Sequence, residues 1–312
     1  MNEGLVIRTT GSWYRVLQGE ACVDCRLRGN YRLRGNKQTN PVAVGDRVLF
    51  ALEEDGTGVI HEVQDRRNYI VRRATKLSKQ THVIAANIDL LCIVATLGLP
   101  RTSTGFIDRL LVTAEAYHIP AAILFNKSDL LEDEELKAMQ RELTDLYRSV
   151  GYTVLEVSAL TGSGLDEVKR LIAGKTVLFS GHSGVGKSAL LNAVSPGLGL
   201  RVGEISDWSL KGRHTTTFAE IHPITIADGS RPAVTYLIDT PGIKEFGMVD
   251  FTAQELSHFF PEMRAVLHDC HFANCTHRHE PQCAVLQAVN DGRISPERYR
   301  NYLSIIEDIE AQ

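Results

Sequence analysis

The stretch Gly181-His182-Ser183-Gly184-Val185-Gly186-Lys187-Ser188 fits the pattern G-x-x-x-x-G-K-S/T and commits the chain around it to one local architecture. The apolar run Thr176-Val177-Leu178-Phe179 leads into it, and Ala189 to Val194 leaves it with helical character. A glycine-rich turn between a strand and a helix lets backbone N–H groups close around phosphates, and the helix adds its positive end. Lys187 is placed to reach the β- and γ-phosphates and Ser188 to ligate Mg²⁺, with Ser180 to Ser188 forming the phosphate site.

A strand–loop–helix unit of this kind belongs to a parallel sheet, and the neighbouring sequence supplies one. Ile88 to Ala95, Ala121 to Phe125, Tyr152 to Val157 and Val234 to Ile238 read as buried strands. Phe106 to His118, Glu132 to Val150 and Leu165 to Ala173 read as the helices between them. Apolar strands alternating with helices imply a largely parallel sheet covered on both faces.

Three short motifs stand at the ends of these strands, where open α/β sheets bind ligands. In Asn126-Lys127-Ser128-Asp129, the Asp129 carboxylate can accept from guanine N1–H and the N2 amine, a pair that adenine lacks. Ser158-Ala159-Leu160 offers backbone N–H groups to guanine O6. Asp239-Thr240-Pro241-Gly242 offers a carboxylate for Mg²⁺ and a Gly242 N–H for the γ-phosphate. Between the phosphate loop and Asp239 lies Gly212-Arg213-His214-Thr215-Thr216-Thr217. One of its threonines completes the Mg²⁺ shell; Thr216 is preferred, with Thr215 close behind. The polar segment from Gly199 to Arg213 is expected to act as a switch.

The order of these motifs matters most. NKSD and SAL precede the phosphate loop here, whereas GTP hydrolases of this type usually run phosphate loop, threonine, DxxG, NKxD, SA. The chain is circularly permuted, a change tolerated because domain termini often lie close together. A water-orienting Gln commonly follows DxxG; this chain has Ile243 there. His214 is the candidate catalytic substitute, through a neutral imidazole that orients water; the alternative is a solvent-exposed histidine.

Residues 1 to 72 read as five short strands with Gly, Asn and Asp turns: Leu5 to Ile7, Trp13 to Leu17, Ala21 to Val23, Arg47 to Phe50 and Gly58 to Ile60. A small barrel with basic loops (Arg26, Arg28, Arg32, Arg34, Lys37) and Tyr31 among them is what an oligonucleotide-binding OB-fold shows. The net charge of −4 hides an asymmetry: residues 1–80 hold 14 Lys/Arg against 9 Asp/Glu, a balance of +5, which leaves −9 for the rest. A basic block on an acidic remainder fits a first segment that meets phosphate. Arg66 to Lys79 reads as an irregular basic link.

Of six cysteines, Cys22 and Cys25 read as packing residues of a strand and Cys92 as a core residue. Cys270 to Cys283 packs three Cys and three His into fourteen residues. Cys270, Cys275, His277 and Cys283 give the spacing C-x4-C-x-H-x5-C of a closed structural zinc site, with His279 as the alternative to His277. The remaining C-terminal sequence is helical in pattern. The expected fold is therefore multi-domain α/β: an OB-fold barrel over residues 1–72, a circularly permuted P-loop GTPase domain over 73–248 and a helical zinc-knuckle domain over 249–312. No apolar run reaches the about 18–20 residues of a membrane span, and Met1 to Thr10 lacks a secretory pattern. A cytoplasmic location without membrane contact is expected.

Together the barrel, NKSD ahead of GHSGVGKS, GRHTTT, DTPG and the Cys/Cys/His/Cys knuckle resemble one family: the RsgA (YjeQ/YloQ) circularly permuted GTPases of bacterial small-subunit assembly. The resemblance covers essentially the whole chain. It implies GTP hydrolysis to GDP and phosphate, stimulated by the 30S subunit, and binding of that particle and its 16S rRNA through the barrel and the zinc domain. It also implies action late in 30S maturation. A monomer with one structural Zn²⁺, and Mg²⁺ alongside GTP, is expected. Gly184 stands where potassium-dependent GTPases carry Asn, so no K⁺ site is expected. Two other readings use the same residues: a GTPase metallochaperone, which would transfer metal to an acceptor, and an RNA-binding module gated by nucleotide, which would show negligible turnover.

Overall fold

The computed structural model describes residues 1–29, 40–73, 81–200, 219–227, 232–239 and 252–311. Five strands, β1 (Asn2–Thr10), β2 (Trp13–Gln18), β3 (Ala21–Leu27), β4 (Arg47–Leu52) and β5 (Gly58–Val63), run in the order β1-β2-β3-β5-β4, and β4 returns to pair with β1. That closure removes both sheet edges, so the five strands form the expected barrel. Alternating positions Val6, Tyr14, Val16, Cys25, Val48, Phe50 and Ile60 fill its interior. Cys25 lies in that interior and Cys22 on the surface. Burial pushes the Cys25 thiol up to about 11, as a packed, inert cysteine requires.

The link from 66 onward departs from expectation. Tyr69–Arg73 (β6) and Thr81–Ala86 (β7) form an antiparallel pair, so part of the basic segment is strand. Ile70 and Val71 are fully packed, while the flanking charges mask their pattern in the sequence. Arg66, nearly buried, clamps the buried Asp46 through Nε and Nη2 at 2.7 and 2.8 Å and ties this pair to the barrel.

The nucleotide-type sheet follows. Strands β8 (Leu90–Ala95), β9 (Ala121–Phe125), β10 (Thr153–Glu156) and β11 (Thr176–Ser180) run parallel, joined by helices α1 (Thr104–Ala116), α2 (Glu134–Val150) and α3 (Leu165–Ile172). Helix α4 (Lys187–Val194) leaves β11. Two last strands, β12 (Glu220–Ala227) and β13 (Pro232–Asp239), pair antiparallel, with β13 parallel to β11. The order is β10-β9-β8-β11-β13-β12, and β12 continues onto barrel strand β1 through Arg8 and Glu220. Strand β12 was not foreseen; His222 and Pro223 interrupt the apolar alternation of Ile221, Ile224 and Ile226 in the sequence.

Both faces of the sheet are covered, and strand alternation decides which residue goes where. Leu91, Ile93, Ala95, Ile123 and Phe125 pack under α1, α2 and the barrel-side residues Ile7 and Val44. Leu90, Cys92, Val94, Ala122 and Leu124 pack on the other face with α3 and α4. Past residue 252, the short helices α5 (Ala253–Leu256), α6 (Pro261–Arg264) and α7 (Ala284–Asn290) and the long α8 (Pro296–Glu310) bury Leu256, Phe260, Met263, Tyr302, Ile305 and Ile306 against Val112 of α1. Ser295 caps α8, with Pro296 at its first position. Among the described residues no helix is long and apolar enough to cross a membrane.

Candidate nucleotide site and metal centre

Strand order reverses between β8 and β11, and the loops leaving β8, β9 and β11 meet there. Asn126, buried at the end of β9, joins two of the expected motifs to its own. Its Nδ2 donates to Val185 O at 2.8 Å in the phosphate loop, and its Oδ1 accepts from Ala159 N at 3.2 Å. The buried Ser158 hydroxyl donates to Asp129 Oδ1 and accepts from Thr161 N at 3.1 Å, which fixes the carboxylate. Lys127 takes a left-handed backbone (φ 63°), and its Nζ donates to Leu99 O at 3.0 Å. The Lys187 ammonium is held by the carbonyls of Gly181 and His182, inside the curl of the loop. Ser188 is buried in the first turn of α4.

The loop's glycines are dictated by contact. Gly186 has φ +88°, and a Cβ there would stand 2.5 Å from Asn126 Nδ2. At Gly181 a Cβ would meet Val94 O at 2.3 Å. Only glycine lets the backbone approach this closely, the shape a phosphate cradle requires. The donor set therefore fits a guanine nucleotide: an oriented carboxylate, backbone N–H groups, an ammonium and a hydroxyl. Asp239 closes β13, whose parallel pairing to β11 brings that backbone to the same end of the sheet. His214, Thr215, Thr216 and Gly242 lie outside the described residues.

Cys270, Cys275, His277 and Cys283 come together, their ligand atoms all within 4.8 Å of one another. His277 Nδ1 lies 3.6 Å from Cys270 Sγ and 3.4 Å from Cys283 Sγ. Zinc bonds of about 2.3 Å to sulfur and about 2.0 Å to nitrogen, at tetrahedral angles, set that separation near about 3.5 Å. Burial pushes the Cys275 thiol up to about 12 and Cys283 in the same direction, and it lowers the His277 imidazole. Two buried thiols that resist ionising, a third thiol beside them and a neutral imidazole are satisfied by a cation that deprotonates the sulfurs on binding. His277 reaches the cluster through a left-handed turn (φ 57°). Tyr299 Oη donates to its carbonyl at 2.7 Å, and Tyr302 Oη to Thr276 O at 2.9 Å. Glu280 accepts from Thr276 N and Oγ1 (2.6 Å each) and from Arg278 N at 2.9 Å. Those bonds outweigh its burial and hold the carboxyl well below the usual range.

Some residues at the site carry no motif. Thr102, in the loop after β8, is buried and bonds His182 Nε2 of the phosphate loop at 2.7 Å. Six residues on, in α1, the buried Asp108 takes Arg298 Nη1 at 2.5 Å and Asn301 Nδ2 at 2.7 Å from α8, and the Tyr147 hydroxyl at 2.9 Å from α2. Arg298 also grips Glu262 at 2.7 and 3.0 Å. Burial drives the Asp108 carboxyl up and Arg298 draws it down; donors from α2 and α8 aimed at both oxygens are the surroundings of an ionised carboxylate. Asp108 sits in an otherwise ordinary helix, and its partner is 190 positions away, so sequence spacing carries no sign of either.

Comparison with known proteins agrees with this geometry. The RsgA GTPase family pattern matches residues 63–249, and the RsgA N-terminal domain pattern matches residues 3–60. A Bacteroides fragilis protein described as "Small ribosomal subunit biogenesis GTPase RsgA" is 50% identical over 309 residues, covering 99% of this chain and 97% of that one. A Flavobacterium johnsoniae protein of the same description is 46% identical, covering 97% and 92%. The crystal structure of YjeQ from Thermotoga maritima superposes with a TM-score of 0.80 at 34% identity, covering 100% and 99%. YloQ, described as a circularly permuted GTPase, superposes at 0.73 with 31% identity, covering 100% and 96%.

Proposed function

The chain belongs to the RsgA GTPase family and is a GTP hydrolase, and from that premise we propose that it serves biogenesis of the small ribosomal subunit, with turnover governed by the particle it assembles. The observation that carries the nucleotide half is the three-way junction at Asn126, which holds the NKSD, SAL and phosphate loops in one geometry. The relatives' shared description, borne along nearly their full length, supports the ribosomal half.

In this reading GTP lies across Asn126, Lys127, Ser128 and Asp129, Ser158 and Ala159, and the loop from Ser180 to Ser188. Mg²⁺ is held by Ser188 and Thr216, with Asp239 acting through water and Gly242 sensing the γ-phosphate. Mg²⁺ neutralises charge on the transferring phosphoryl group; the chain's own residues position it. His214 orients the attacking water. Segments 1–72, 73–248 and 249–312 act as barrel, engine and zinc-organised helical unit. The barrel supports an RNA role: Arg26 stacks on the Trp13 ring at 4.0 Å, and Arg8, Trp13, Thr57 and Arg15, the last paired with Asp24 at 3.0 Å, line a cleft of about 450 Å³ on its surface. The zinc unit adds a second contact to 16S rRNA, and the protein works as a cytoplasmic monomer late in 30S maturation.

GTP turnover by the purified protein, alone and with isolated 30S or 50S particles, tests this. Stimulation by 30S alone is the expected result. Equal turnover with either particle and with none sinks the ribosomal reading while leaving the nucleotide site standing.

A further inference from the structure

The phosphate loop is held at two points. One tether is the Asn126 amide on Val185 O, near its end. The other is His182, near its start, and it leads to a different element. Thr102 Oγ1 accepts from Thr96 N at 3.0 Å, so its own proton is free to go to His182 Nε2, 2.7 Å away. The second ring nitrogen, Nδ1, then donates to Ser183 O at 3.1 Å. The ring edge also meets Phe106 of α1, with centroids 5.5 Å apart. Ser183 and Gly184, between the tethers, are exposed.

Thr102 stands one residue before the cap of α1, and the first turns of α1 are bound to α8. Thr104 Oγ1 donates to Glu297 Oε1 at 2.8 Å, and Asp108 holds Arg298 and Asn301. Arg109 pairs with Asp308 further along. The start of one helix is thus shared between the phosphate loop and the zinc-organised unit. A packed helix whose first turns carry both sets of polar ties moves as a body, so a shift of the loop at His182 displaces what α8 rests on.

We propose that His182 is a positioning residue which ties the phosphate loop through Thr102 and α1 to α8, so that nucleotide occupancy is felt in the C-terminal unit. The inference rests on the nucleotide reading above. The test uses the full chain with zinc bound, a fluorescent GDP, a non-hydrolysable GTP analogue and amide hydrogen exchange over residues 296–310. H182A and T102V each remove the tether, and H182Q keeps an acceptor at the same reach.

The wild type is expected to bind the analogue and to slow exchange in α8 on binding. H182A and T102V should each weaken analogue binding about five-fold, the scale of one lost hydrogen bond. The double variant should be no weaker than either single one. Under saturating analogue the α8 response should vanish in H182A and persist in H182Q. A loss of loop order alone would lower affinity in H182A and leave the α8 response intact at saturation, which overturns the tie. An α8 segment indifferent to nucleotide in the wild type, or H182A indistinguishable from wild type, overturns it as well. A wild type that binds no guanine nucleotide overturns the underlying reading first, before any variant is compared.

Discussion

At the scale of single residues, base selection in the proposed reading turns on one carboxylate. Asp129 is aimed by the Ser158 hydroxyl, which itself accepts from Thr161 N. Guanine offers two donors to such a group; replacing one acceptor oxygen with an amide nitrogen sets donor against donor. D129N should therefore lose about 100-fold in GTP affinity, from two charge-assisted bonds of about 1.5 kcal/mol each. It should gain relative preference for xanthosine triphosphate, whose O2 suits the amide. Competition against a fluorescent guanine nucleotide measures both; unchanged GTP affinity would remove Asp129 from the base site. As a candidate this residue was legible in the sequence because its motif is local, four positions of a tetrapeptide at a strand end. The cluster of Cys270, Cys275, His277 and Cys283 was legible for the same reason. Thr102, by contrast, acts across eighty positions on His182, and a lone threonine after a strand says nothing of that.

At the scale of elements, helices with strong amphipathic spacing were readable to within a turn: α2 and α3 fall where the periodicity puts them. The strands that escaped, β6, β7 and β12, are those whose burial depends on partners elsewhere in the chain. The α1–α8 contact was equally invisible, since its centre is a buried ion pair that breaks the apolar pattern of both helices. Its energetics are predictable even so. Arg298 is about 1% exposed, with Asp108 and Glu262 on its guanidinium and the Phe260 ring 4.8 Å away. R298M strands Asp108 without a counter-charge and should cost about 3–5 kcal/mol. D108N added to R298M removes one of the two orphaned charges, Glu262 keeping the other, so the double variant should recover part of that loss. Urea denaturation of the three proteins decides it; a double variant less stable than R298M would show that the charges are not paired in solution.

At the scale of the molecule, the barrel and the nucleotide sheet share one apolar core, since Ile7 and Val44 pack in the same cluster as Leu91, Ile93 and Ile238. The C-terminal unit has its own core, to which α1 lends Val112. Removing the metal should therefore act on one part only. Calorimetry of the zinc-loaded protein, then of the same protein with a chelator or with C283A, should show a low-temperature transition split from the main one. C283A should also carry no stoichiometric zinc. A single transition that moves as a whole would mean the C-terminal core is not separable. The overall order of barrel, permuted sheet and zinc unit was readable in the sequence, because each region keeps its own period and its own motifs. How closely the barrel fuses to the sheet was not, because that fusion rests on a few apolar positions that look like ordinary strand interior.

The order β10-β9-β8-β11-β13-β12 has a consequence for the chain as it leaves the ribosome that makes it. Synthesis delivers β8 first, then β9 and β10 on one flank, while the strand β11 that covers the other flank of β8 begins at Thr176, about eighty residues after β8 ends at Ala95. Through that interval the half-built sheet presents an unpaired edge of six apolar residues, Leu90–Ala95, all buried in the finished fold. At the usual pace of about 5–20 residues per second, the edge stays open for several seconds, and bare apolar edges recruit other strands. Rearranging the motif order thus shifts the hazard of misassembly onto the nascent protein: the base-reading half must wait, exposed, for the phosphate-reading half to arrive.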